Sequence, residues 1–101
     1  MHGRNDPFPY EACRDLLGII RSIYRATPDA EVMKRAKLES IGSDLAIACE
    51  LGKSRVGSLG HRAAWERAES ACARLFDIFE VGDTAKPIAA AACAAATRRR
   101  R

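Results

Sequence analysis

Few residues in this chain have side chains suited to chemistry. The densest group is His61-Arg62-Ala63-Ala64-Trp65-Glu66-Arg67-Ala68-Glu69. Acid–base work there would pair His61 with Glu66 or Glu69. On a helix, groups stack at spacings of three or four, and neither pairing has that spacing. A zinc-hydrolase helix needs His-Glu-x-x-His, and no second histidine follows His61. The run reads instead as a helix that buries Trp65 and turns its charges to water. No catalytic residue is singled out, and the chain is expected not to be an enzyme.

The stretch Gly52-Lys53-Ser54-Arg55-Val56-Gly57-Ser58-Leu59-Gly60 holds three glycines and three serine or lysine side chains. A phosphate-cradling loop would need a glycine five positions before Gly52, and Ile47 stands there. The loop still brings Lys53, Arg55, His61 and Arg62 close to a helix N-terminus, where an anion could be held. The plainer reading is a flexible connector. Cysteines stand at 13, 49, 72 and 93, in no Cys-x-x-Cys pair and at no zinc spacing. They are expected to be free thiols that pack as small hydrophobes, with no metal and no cofactor.

The chain carries 17 basic and 13 acidic residues, and its last four are Arg98, Arg99, Arg100 and Arg101. Residues 1–97 are therefore formally neutral, and the whole excess charge sits in the tail. A basic tail on a neutral body is a candidate contact for polyanions, RNA or DNA. An ordinary solvated end is the other reading. Arg14, Arg21 and Arg25, and Lys34, Arg35 and Lys37, offer a weaker basic face because acids interleave them. The polar start of the chain has no apolar core of a secretory leader, and the apolar stretch 88–96 is shorter than the ~20 residues a bilayer needs. No membrane partner and a cytoplasmic location are expected.

The elements that must position these groups follow from periodicity. Residues 1–8 read as a flexible leader, 9–97 as a helical bundle and 98–101 as the basic tail. A first helix begins near Pro9 and ends near Ala26, with Cys13, Leu16, Leu17, Ile20, Ile23 and Tyr24 on one face. Thr27-Pro28-Asp29 reads as a capped helix start. The second helix then runs from Pro28 to about Leu51, with Leu38, Ile41, Leu45, Ala48 and Gly52 as its stripe and Val32 and Met33 extending it backwards. Gly42, beside Ser43, permits close helix approach or a kink, or is simply tolerated. A third helix spans about 61–80, with Trp65, Ala68, Cys72, Leu75 and Phe79 inward and Ala64, Ala71 and Ile78 beside them. A short alanine-rich fourth covers 88–97. The expected fold class is all-α: an antiparallel up-and-down bundle of three long helices plus a short fourth. The short fourth helix is expected to leave an apolar groove half covered.

Two stretches carry a resemblance. Residues 16–27, LLGIIRSIYRAT, look like a first helix ending in an aliphatic–Tyr–x–x–Thr run. Residues 40–55, SIGSDLAIACELGKSR, are similar to a second helix ending in Glu-Gly and a basic residue, with Glu50, Gly52 and Lys53 or Arg55 in those places and one extra residue between Glu50 and Gly52. The chain thereby resembles the small bacterial four-helix-bundle proteins encoded within intervening sequences of large-subunit ribosomal RNA genes, a group that includes the accessory variability protein of diversity-generating retroelements. The third helix agrees in length and amphipathicity, and the fourth is shorter than in that family. The resemblance implies a non-enzymatic homo-oligomer, a pentameric ring, that can bind nucleic acid. The expected function is a homo-oligomeric scaffold that binds RNA or DNA through Arg98, Arg99, Arg100, Arg101, Lys53, Arg55 and Arg62. The alternative is a protein-interaction module whose apolar groove receives a partner helix.

Overall fold

The computed structural model describes residues 6–98. Among them the chain forms four helices and no strand: α1 Tyr10–Ala26, α2 Val32–Leu51, α3 Leu59–Phe76 and α4 Ala85–Thr97. The main contacts run α1 to α2, α2 to α3, α3 to α4 and α4 back to α1. Leu16, Ile20, Leu38, Ile41, Leu45, Trp65 and Leu75 are fully buried between them. The inward stripes of α1, α2 and α3 are the periodic ones, because residues three and four apart share a face.

The helix ends depart from the sequence reading in instructive ways. Thr27 does not open α2. Its hydroxyl donates to the Ile23 carbonyl at 2.7 Å and its amide to the Tyr24 carbonyl at 3.1 Å, so it closes α1. Residues 28–31 make a turn, and α2 starts at Val32. Arg35 binds this turn back onto α1: its guanidinium donates to the carbonyls of Tyr24 (3.3 Å) and Thr27 (2.8 Å) and lies 4.1 Å over the Tyr24 ring. These groups otherwise end a helix with unpaired carbonyls. Val32 and Met33 are 66% and 69% exposed, which corrects their place in the α2 stripe. Arg35 sits level with the last turn of α1, so the turn of α2 before it lies past the end of its neighbour.

The third helix starts two residues earlier than expected. Ser58 caps it by accepting from the His61 amide at 3.2 Å. It also stops earlier, at Phe76, yet Phe79 is still buried because the turn that follows folds back. Gly82 at φ 85° lets the next turn, from Glu80 to Asp83, close. Asp83 then accepts from the Ala85 amide at 2.9 Å and starts α4, with Pro87 in its first turn, where a missing N–H costs nothing.

Short as it is, α4 lies against both α1 and α3, burying Ala89, Cys93 and Ala96. One groove stays open between α1 and α4, lined by Gly18, Ile19, Ile23, Ala85 and Ile88, and another of about 510 Å³ lies along α1 and α2, lined by Leu17, Ile20, Leu38, Gly42 and Ala46 together with Arg21, Arg25 and Glu39. Small residues on α2 leave it unfilled. A Cβ at Gly42 would meet only Ile20 and Leu17, at 3.8 Å, an ordinary contact. Gly42→Ala is therefore expected to raise unfolding free energy by about 0.5–1 kcal/mol in urea titration, through helix propensity. Trp65→Ala should cost about 3–5 kcal/mol in the same measurement, since no small rearrangement fills the space of a buried indole.

Candidate nucleic-acid interface

Of the candidate cations, Lys53 and Arg55 lie on the loop between α2 and α3 and Arg62 follows it, and that loop is shaped by an aromatic cluster beneath it. Phe8, which the sequence places in the loose leader, is buried. Its ring meets Trp65 edge-on with centroids 5.4 Å apart. A Cβ at Gly52 would fall 2.2 Å from the Phe8 ring, so only glycine lets the ring lie there. Gly60 faces Ser54 as closely: a Cβ would stand 2.6 Å from the serine hydroxyl. Gly57, at φ 87°, turns the chain between them. The loop is thus a close-packed turn rather than a slack connector.

His61 belongs to this cluster and not to the surface. It is buried, and its ring stands edge-on to Trp65 with centroids 6.4 Å apart. The Gly57 amide donates to Nδ1 at 3.2 Å, while the Trp65 indole nitrogen lies 3.4 Å from Nε2. That position corrects the sequence reading of His61 as one of the groups facing an anion. Glu66 and Glu69 are exposed.

Lys53, Arg55, Arg62 and Arg98 are exposed. Lys53 pairs with Glu50 at 3.1 Å and lies 5.5 Å over the Tyr10 ring, where Arg14 also sits at 5.9 Å. The hydrogen bond to Glu50, then its charge, holds the Lys53 ammonium above its ordinary pKa, so it stays cationic. Arg98 is the residue that ends α4; Arg99, Arg100 and Arg101 lie outside the described residues. The weaker basic face is partly committed elsewhere. Arg35 of that face holds the α1–α2 turn; outside the face, on the α2–α3 side, Asp44 takes Arg67 at 3.2 Å and also pairs with Arg74.

The cysteines fall into two pairs, each between neighbouring helices. Cys72 of α3 and Cys93 of α4 are joined in a disulfide, their Cα atoms 5.8 Å apart, which corrects the expectation of four free thiols. Cys13 and Cys49 are free and buried. Burial, with Cys49 alongside, pushes the Cys13 thiol well up from its ordinary range. Among the described residues no group of three His, Cys, Asp or Glu side chains is placed to hold a metal ion, and no helix is long and apolar enough to cross a membrane.

Comparison with protein-family models, with curated proteins and with solved structures found no match. The Phe8–Gly52 contact and the cap at Ser58 escaped the sequence reading. The one signal for the second was a serine three residues ahead of a buried histidine. His61→Ala is expected to lower unfolding free energy by about 2–4 kcal/mol, since it leaves a cavity beside Trp65 and takes the acceptor from the Gly57 amide. Equilibrium denaturation checks it; an unchanged midpoint would mean the ring is not part of the core.

Proposed function

We propose that the chain is a non-enzymatic helical-bundle scaffold that self-associates and binds RNA or DNA through one end. The observation that carries this reading is the set of cross-helix contacts, which fits helices that alternate in direction. Phe8 beside Gly52 and Trp65 brings the start of α1 to the end of α2 and the start of α3. Arg35 on Tyr24 and Thr27 brings the start of α2 to the end of α1. Ala85 and Ile88 line one groove with Ser22 and Ile23, matching the start of α4 to the end of α1. In such an up-and-down bundle Lys53, Arg55 and Arg62 lie toward the same end as Arg98, the residue from which the arginine run continues in sequence. Residues remote in sequence then form one electropositive end on a body whose remaining residues carry a slight acidic excess.

The resemblance of residues 16–27 and 40–55 to the ribosomal intervening-sequence proteins supports a ring of several copies. A ring repeats the basic end, and multivalency converts weak phosphate contacts into useful affinity. A nucleic-acid partner of this kind agrees with a cytoplasmic location. The α1–α2 groove favours a second reading, a module that receives a partner helix along Leu17, Ile20 and Leu38.

Titration with RNA and with duplex DNA at several salt concentrations separates the two. Removing residues 98–101 should flatten the slope of log affinity against log salt by up to about 3.6 per chain on DNA. Replacing Lys53, Arg55 and Arg62 by alanine should flatten it further, with no change in sequence preference. Binding that survives both changes would move the interface onto the helix faces. If the full chain binds neither polymer at low salt, the nucleic-acid reading falls and the groove reading takes its place.

A further inference from the structure

The two cysteine pairs occupy matching places. One joins α3 to α4 by a bond, and the other faces α1 to α2 without one. Cys13 and Cys49 stand with sulfurs 3.1 Å apart; the Cys49 thiol donates to the Cys13 sulfur, and the Cys13 thiol donates to the Leu45 carbonyl at 3.9 Å. A disulfide needs about 2.05 Å, so the two sulfurs stand roughly 1 Å beyond bonding distance. The pair also sits in a seam that borders an open groove. Leu17 lies one turn beyond Cys13, and Ala46 one turn before Cys49, and both line the open α1–α2 groove.

We propose that Cys13 and Cys49 form a second redox site, which thiol–disulfide exchange with a low-molecular-weight disulfide converts into a bond between α1 and α2. Cys49 reacts first, because it is 5% exposed and Cys13 is 0% exposed. Its thiolate attacks one sulfur of the reagent, whose other half leaves as a thiolate and takes up a proton. The Cys13 thiolate then attacks the Cys49 sulfur of the mixed disulfide and expels the second reagent thiol. Two electrons pass to the reagent, and the two protons lost by the cysteines end on its two thiols. Burial makes the exchange wait for the seam to open. The oxidised protein carries two sequential, non-overlapping staples, one closing each helical pair.

The test uses the full chain, reduced and then exposed to oxidised glutathione in moderate urea, which opens the seam. Remaining thiols are alkylated, and trypsin separates the four cysteines onto four peptides. The expected product is lighter than the reduced chain by about 4 Da, two hydrogens for each bond formed. Its Cys13 peptide is linked to its Cys49 peptide. Its Tm should exceed that of the singly bonded protein by on the order of 10 °C. Cys49→Ala, a change at a small packed position, should abolish that rise and keep the Cys72–Cys93 link. The proposal is overturned if Cys13 and Cys49 emerge alkylated or as separate glutathione adducts while Cys72–Cys93 closes. Links from Cys13 to Cys72 or Cys93 would overturn it as well.

Discussion

Trp65 is the largest fully buried side chain of a core otherwise made mainly of alanine, cysteine and branched aliphatics. An indole needs a large cavity, and its neighbours shrink to make one: Ala64 and Ala68 flank it on α3, and both are wholly buried. The open end of that cavity is closed by Phe8, whose ring meets the indole edge-on, the arrangement aromatic quadrupoles prefer. Seating Phe8 in turn demands a residue without a side chain at 52. The path of the segment before α1, the shape of the α2–α3 loop and the position of Lys53 over Tyr10 all follow from where one indole sits.

Helix existence and inward faces were legible because they depend only on spacing. Cys13, Leu16, Leu17 and Ile20, or Leu38, Ile41 and Leu45, mark a stripe whatever they touch. What was not legible depends on neighbours. Val32 and Met33 continue the stripe in sequence, yet no helix lies beside them, so periodicity alone misassigns them. Thr27 before proline looks like a helix start, and its hydroxyl finds the carbonyl behind it instead. Phe79 keeps the heptad spacing beyond the end of its helix and is buried by a turn. The candidate loop cations were found as exposed residues. His61 was not separable from them, because a histidine beside a basic run reads the same whether it faces water or a tryptophan.

Charged groups along the seams of the bundle join its helices. Asp44 of α2 takes Arg67 and Arg74 of α3, and Arg74 also reaches Ser40 at 3.4 Å. Arg35 joins α2 to the last carbonyls of α1. All of these are part-exposed, and each such pair contributes modestly in high dielectric. Their value lies in direction: a guanidinium fork meets carbonyls or a carboxylate only in one alignment.

The fourth helix shows what an alanine surface leaves undecided. Ala89, Cys93 and Ala96 form its buried face. Slid by one turn, about 5.4 Å along its axis, this helix would present nearly the same methyl groups to α1 and α3. Knobs and holes therefore give α4 no strong axial registration. Cys93 is the one inward group that differs, and its partner on α3 is fixed by the tryptophan-bearing helix. The sulfur bond works as an indexing pin: closed, it selects a single notch, and opened, it leaves a smooth rod on a ratchet with shallow teeth.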